Sequence, residues 1–278
     1  MRNHLLLIAA WLGCALGSDS NRLTIHNWCG SDLTCQQVRS TRYDTTRAVY
    51  SHGGIVRMDT TRRAIYLVFT GHEFADGGES IRMTLKRQGI KGSFFFTGDF
   101  FRNPSFRQTI LALHADGHYL GPHSDRHLLY VPWEHRDSLL VSQKEFLDDL
   151  FGNYSAMESL GISPERSKYF LPAYEWYNDS IAAWCNQNGI TLVNFTAGTS
   201  SNADYTYPAL GERYVPSDTI FSRILRFEQR SSSGLNGFLL LTHIGADPSR
   251  PDKFYARLDS LVTLLRARGY SFRRLGNE

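Results

Sequence analysis

Two histidines four residues apart, His123 and His127, follow the glycine- and proline-bounded segment 117–122. If the run after Pro122 starts a helix, four residues make slightly more than one turn, and both imidazoles leave the same face. Paired imidazoles chelate a divalent metal; zinc, nickel, cobalt and iron all accept this ligand. A third ligand must come from elsewhere in the chain, most simply a carboxylate. Two histidines and a carboxylate with open positions activate water, which is the chemistry of a metal-dependent hydrolase. Other reactive side chains stand in the same kind of place, directly after an apolar run. His72, Glu73 and Asp76 follow 65–69, Tyr174, Trp176 and Tyr177 follow 169–171, and His243 ends the run that begins at Gly237. Trp176 and Tyr177 read as a platform whose apolar ring faces stack on sugar.

The elements that must position these residues alternate regularly. Apolar runs at 65–69, 92–96, 119–120, 169–171, 190–195, 237–241 and 270–272 read as strands. Periodic segments at 80–88, 104–116, 142–160, 179–188, 216–229 and 253–268 read as helices, several of them stopped by a glycine. Strand–helix alternation predicts an α/β fold with a parallel sheet, open or closed into a barrel. In a barrel the loops after the strands share one face, and the polar clusters converge there.

Composition bounds the rest. With 278 residues and 42% hydrophobic residues the chain supports a full core, and a net charge of +3, dispersed along it, argues against a nucleic-acid partner. Residues 1–17 read as an export signal: a weakly basic start, then an apolar run at 5–17 that is too short to span a bilayer, with small residues before Ser18. The run 12–14 offers an alternative, lipoprotein processing with a lipid anchor on Cys14. No later segment reaches transmembrane length. Residues 18–53 read as an N-terminal extension, and 54–278 as the main domain. Cys29 and Cys35 form a disulfide in an oxidising compartment or remain free thiols, and Cys185 reads as core.

The order and spacing of several motifs carry a family resemblance. These are Ile55-Val56-Arg57, Lys91-Gly-Ser-Phe-Phe-Phe96, Gly117-His118 through His123-Ser-Asp-Arg-His127, Leu171-Pro-Ala-Tyr174 with Asn178, and Leu240-Leu-Thr-His243. From about residue 54 onward the chain resembles the polysaccharide deacetylases of carbohydrate esterase family four, the domain shared with chitooligosaccharide deacetylases. The resemblance implies a distorted (β/α) barrel of about seven parallel strands. It implies removal of N- or O-acetyl groups from a carbohydrate polymer or oligomer by a periplasmic or secreted enzyme, free or lipid-anchored to the outer membrane. It also implies one divalent metal, zinc first and nickel, cobalt or iron as alternatives, held by His123, His127 and Asp76. His243 takes the role of general acid, and a backbone N–H near Tyr174 helps hold the oxyanion. Tyr174 and Trp176 are the expected substrate contacts.

The first and third motifs depart from the family pattern. The family ends its first strand with Thr-Phe-Asp-Asp-Gly, its two aspartates serving as base and metal ligand. Aligned on the strand, Thr70 and Gly71 replace both; aligned on the later Asp-Gly, Asp76 keeps the ligand role and Ala75 replaces the base. Leu171 stands where the family has an arginine that orients the base. Losing both members of a charge pair together is physically coherent, because either one left alone is an unpaired buried charge. Glu73 is then the expected base. On the strand alignment, His72 or Glu73 binds metal and Asp76 is the base. The alternative function is a catalytically inactive, glycan-binding homologue.

Overall fold

The computed structural model describes residues 47–277. The expected signal segment, Cys14, Cys29, Cys35 and residues 18–46 of the expected extension lie outside the described residues. The first elements form an antiparallel hairpin, β1 (Val49–Ser51) with β2 (Gly54–Arg57). Then come β3 (Ala64–Gly71), α1 (Gly78–Arg87), β4 (Ser93–Phe96), α2 (Gly98–Arg102), α3 (Arg107–Ala115) and β5 (Tyr119–Pro122). The second half holds α4 (Gln143–Glu158), β6 (Tyr169–Phe170), α5 (Asp179–Gln187), β7 (Thr191–Leu192), α6 (Ser217–Arg230), β8 (Phe238–His243), α7 (Leu258–Ala267) and β9 (Ser271–Arg273).

The fold is α/β with a mostly parallel central sheet. Every residue of β3 is buried, as its continuous apolar run requires of a strand covered on both faces. It pairs in parallel with β4 on one side and β8 on the other, β5 extends the sheet beyond β4, and β9 runs beside the first residues of β3. A separate parallel pair, β6 with β7, completes the ring through two seams. At one seam the Tyr119 hydroxyl replaces a ladder rung: it donates to Tyr169 O at 3.0 Å and accepts from Tyr169 N at 2.7 Å. Leu171 N adds a bond to Pro122 O at 3.2 Å. At the other, Asn194 N donates to Ile55 O at 2.7 Å and Thr196 N to Leu239 O at 3.0 Å. The expected strand at 190–195 therefore shortens to Thr191–Leu192, because the residues after it turn to β2 and β8.

The run after Pro122 does not start a helix, and none lies between β5 and α4. Ser124 (φ 74°) and His127 (φ 56°) occupy the left-handed region, which breaks a right-handed helix. The loop is held from α4 instead. Asp149 accepts from the backbone N–H groups of Asp125 (2.9 Å) and Arg126 (3.1 Å) and from the Tyr130 hydroxyl (2.6 Å), while Asn153 donates to Phe96 O and Ser124 O. A capping box between Ser142 and Glu145 starts α4 where the sequence placed it. Cys185 is a buried free thiol on α5. Among the described residues no helix is long and apolar enough to cross a membrane.

Candidate active site

Parallel register brings the strand ends to one level. Thr70 lies beside His243, Gly71 beside Phe96, and Phe96 beside Pro122. The residues that follow, His72, Thr97 and His123, are therefore neighbours, with Thr97 N bonded to Gly71 O and His123 N to Phe96 O, each at 3.1 Å. His72 shares a hydrogen bond between its Nδ1 and the Thr97 hydroxyl at 3.1 Å. His123 Nδ1 donates to Leu171 O at 2.8 Å; a carbonyl only accepts, so this bond fixes the tautomer and leaves Nε2 with its lone pair. The ring of His127 lies 5.4 Å from that of His123, 4.4 Å from Tyr174, and 4.5 Å from His72 with the two planes 7° apart. Burial is the main cause that pushes His123 down to about 3 and His127 to about 2, and the neighbouring imidazoles add to it. Both are neutral at pH 7, the protonation state a metal ligand needs.

His243 ends β8 on the same face. Asp204 grips it twice: one carboxylate oxygen accepts from His243 N at 2.9 Å and the other meets Nδ1 at 2.6 Å. Burial disfavours the imidazolium, but Asp204 and the Glu175 carboxylate together outweigh it, so the His243 pKa is raised. Glu175 follows Tyr174 in the turn after β6. Desolvation is the main cause that raises its pKa, against the pull of the His243 imidazolium. Tyr174 (φ 59°) and Glu175 (φ 54°) are consecutive left-handed residues, held by Glu175 N to Pro172 O (3.0 Å) and by Asn194 Nδ2 to Glu175 O (2.7 Å).

The structure thus gathers His72, His123, His127, Tyr174 and His243, and does not bring the expected carboxylates to them. Asp76, expected as third ligand, faces the loop after β8: it accepts from Ala246 N and the Tyr255 hydroxyl, each at 2.9 Å, and pairs with Lys253 at 3.2 Å. Glycine at 245 permits that approach, because a Cβ there would meet Asp76 Oδ1 at 2.5 Å. Glu73 is exposed and makes no hydrogen bond or ion pair among the described residues. Gly71 has no room for a side chain: a Cβ would meet Ile244 at 2.8 Å and Phe96 at 2.9 Å. Thr70 keeps its buried hydroxyl without a partner.

The aromatic platform is also redistributed. Tyr177 is fully buried, its hydroxyl bonded to Ser51 O, and so cannot stack on a ligand. Trp176 is half-buried with its indole N–H on Pro132 O. Exposed Trp133 packs against Tyr174 and Trp176 at ring distances of 5.8 and 5.5 Å, and exposed Tyr205 lies 5.4 Å from His243. Sequence reasoning missed Trp133, Asp204 and Glu175. Glu175 had a signal, its place beside Tyr174 in a recognised motif. Asp204 had only a polar cluster, with nothing to link it to a histidine 39 residues away.

The donor chemistry fits a borderline divalent ion in kind: two neutral imidazoles, one with its tautomer fixed by a backbone carbonyl. Among the described residues no three His, Cys, Asp or Glu side chains converge on one point. His72 lies flat on His127 and covers its ring.

Comparison with known proteins bears on the family and the fold. The family profile described as polysaccharide deacetylase matches residues 57–193. No curated protein sequence matches significantly. Among solved structures, a family 4 carbohydrate esterase of Bacillus subtilis superposes with TM-score 0.62 at 18% identity, covering 81% of this chain and 83% of its own. A CE4 family pseudoenzyme from Bacillus anthracis gives 0.62 at 17% identity, covering 81% and 68%. A peptidoglycan N-acetylglucosamine deacetylase gives 0.63 at 17% identity, covering 81% and 91%. At these identities the likeness is one of fold.

Proposed function

We propose, on the premise that residues 57–193 belong to the polysaccharide deacetylase family, that the protein is a metal-dependent hydrolase removing N- or O-acetyl groups from a carbohydrate polymer or oligomer. The observation that carries this reading is the Asp204–His243 pair, set on the same barrel face as two neutral imidazoles. Breaking a C–N or C–O bond to a sugar needs a proton on the leaving atom. His243, with its pKa raised and its Nδ1 occupied by Asp204, retains Nε2–H to deliver it. His123 and His127 would hold the divalent ion, with zinc the best match to imidazole and nickel, cobalt or iron as alternatives. When bound, that ion supplies Lewis-acid polarisation of the acetyl carbonyl and a lowered pKa for water. Tyr174, Trp133 and Trp176 on one side and Tyr205 on the other offer ring faces to a sugar chain.

The test is acetate release from N-acetylglucosamine oligomers, peptidoglycan fragments and acetylated xylan, run beside metal analysis of the purified protein. Release that chelation abolishes and zinc restores is expected. A second reading, a non-catalytic glycan-binding protein, draws on one observation: Gly71 and Thr70 leave the first-strand carboxylate positions empty. Glycan binding without acetate release from any of the three substrates would establish it. Export belongs to the same proposal, because residues 1–17 carry an apolar run of signal type and polymeric glycans are met outside the cytoplasm. Mass spectrometry showing an intact Met1 refutes export, and acyl mass on Cys14 identifies a lipid anchor.

A further inference from the structure

We propose that Arg250 is a positioning residue for the acid end of this site: it clamps the turn that presents Asp204 to His243. The inference rests on the deacetylase reading, which makes His243 the general acid, and deepens it.

The two members of the pair are held by different means. His243 ends β8 and takes its place from the ladder with β3. Asp204 has no ladder. It sits on the 3₁₀ turn Ser201–Tyr205, entered through Ser200 in the left-handed region (φ 57°). Both of its oxygens nevertheless meet His243, at 2.9 and 2.6 Å. Bonds from outside the turn must therefore set its place. Arg223 holds the entry, donating to Ser200 Oγ at 3.1 Å. The exit falls to Arg250.

Arg250, on the loop after β8, donates from Nη1 to Thr206 O, two residues after Asp204. The Thr206 hydroxyl donates in turn to the carbonyl of Ala203, the residue before Asp204, at 2.7 Å, and accepts from Val215 N at 3.0 Å. The rest of the guanidinium fastens the neighbouring segments. Nη2 donates to Val215 O and Ser217 Oγ, each at 3.0 Å, and Nε donates to Asp252 O at 2.9 Å. One planar fork thus ties the exit of the Asp204 turn, the start of α6 and the loop after β8.

The setting argues for placement rather than for stability alone. Arg250 is 0% exposed, and burying a cation is costly. Its one carboxylate neighbour, Asp252, stands 3.5 Å away and is itself bonded by the Tyr214 hydroxyl and Ser217 N. The remaining acceptors are neutral. A well-packed apolar side chain in such a place is often no less stable, but it has no directed donors with which to fix a turn. Arg250 also acts on His243 by charge, and there the sign reverses. Burial and the Arg250 cation lower the His243 pKa, whereas Asp204 and Glu175 raise it. Loss of the clamp and loss of the charge therefore move His243 in opposite directions.

The experiment titrates the His243 imidazole by NMR in Arg250→Lys and Arg250→Met variants of the full chain, beside the pH–rate profile. Lysine keeps the charge and lacks the fork, so a lower His243 pKa in that variant comes from geometry. A fall of roughly one pH unit is expected in Arg250→Lys. The alkaline limb should move to lower pH with it, and kcat should drop roughly ten- to a hundredfold at little-changed KM. In an Asp204→Asn background the same substitution should cost less than about threefold, because both act through one contact. Full additivity there overturns the proposal. An unchanged His243 pKa in Arg250→Lys, even beside a lowered Tm, also overturns it. If the lysine variant does not fold, Arg250→Met decides: a fall supports the clamp, and a rise or no change overturns it. The titration needs no turnover. A wild type that releases no acetate overturns the deacetylase reading and the acid role, while the clamp on Asp204 still stands or falls by the titration.

Discussion

Asp204 acts on His243 through two atoms, so removing its charge separates orientation from electrostatics. Asp204→Asn keeps an acceptor for His243 N but weakens the support of the imidazolium. The His243 pKa is then expected to fall, moving the alkaline limb of the pH–rate profile to lower pH, with kcat reduced roughly a hundredfold. An alkaline limb that stays in place would show that another group is the acid. A second prediction concerns His118, which has no part in the chemistry: its Nδ1 accepts from Gly92 N at 3.1 Å, and burial, then Lys91, lowers its pKa to about 4. The unfolded chain binds this proton below about pH 6.5, while the folded protein resists it down to about 4. Its contribution to stability is therefore full above pH 6.5 and is lost as the pH falls toward 4. His118→Gln, which keeps an acceptor, should flatten the fall in unfolding free energy across that window by up to about 1.4 kcal/mol per pH unit, read from urea titrations at several pH values. At this scale the sequence made His123 and His243 legible because one directly follows a strand and the other ends one, and His127 through its four-residue spacing from His123. Asp204 and Glu175 were not, because their positions depend on irregular turns whose geometry no periodicity encodes.

The elements show why the first-strand motif could change without loss of the sheet. Gly71 is the last residue of β3 and is packed by Ile244, Phe96 and Phe100 at Cβ distances of 2.8 to 3.0 Å. Gly71→Asp is expected to destabilise the protein by roughly 1–3 kcal/mol in urea unfolding, through overpacking, and to leave metal stoichiometry unchanged. A gain of bound metal would show that this strand end can still accept a ligand. The strands β3, β4, β5 and β8 were legible as apolar runs, since burial on both faces removes polar alternation. The path of the loop 123–142 was not legible, because spacing alone cannot reveal left-handed residues, nor an acceptor such as Asp149 on a later helix. That carboxylate is the element-level support of both metal-binding candidates. Asp149→Ala leaves two backbone N–H groups and the Tyr130 hydroxyl short of a partner, and should lower zinc affinity ten- to a hundredfold while circular dichroism keeps its α/β signature. Unchanged zinc affinity would mean that the loop is held by other contacts.

Across the whole molecule, the alternation of strands and helices was enough to foresee a parallel α/β fold, but not how its ring closes. The two seams use a tyrosine hydroxyl and isolated backbone bonds where the rest of the ring has ladders. Tyr119→Phe removes the rung at the first seam, and should cost about 1–3 kcal/mol by leaving Tyr169 backbone groups short of a partner. Amide exchange at Tyr169 and Leu171 should quicken while Val68, in the middle of the sheet, stays protected; uniform acceleration would refute a local weak point. Mechanically, the barrel resembles a split ring, with a stiff arc from β5 to β8 and a slit beside β5. The lip beyond the slit carries Tyr174 and Glu175, and the carbonyl that fixes the tautomer of His123 is on that lip as well, at Leu171. A bulky chain wedged into the mouth would push on the lip, lengthen that one hydrogen bond and release the imidazole to reorient. The seam beside β5 and the choice of which His123 nitrogen holds the proton thus hang on the same short stretch of chain, Leu171.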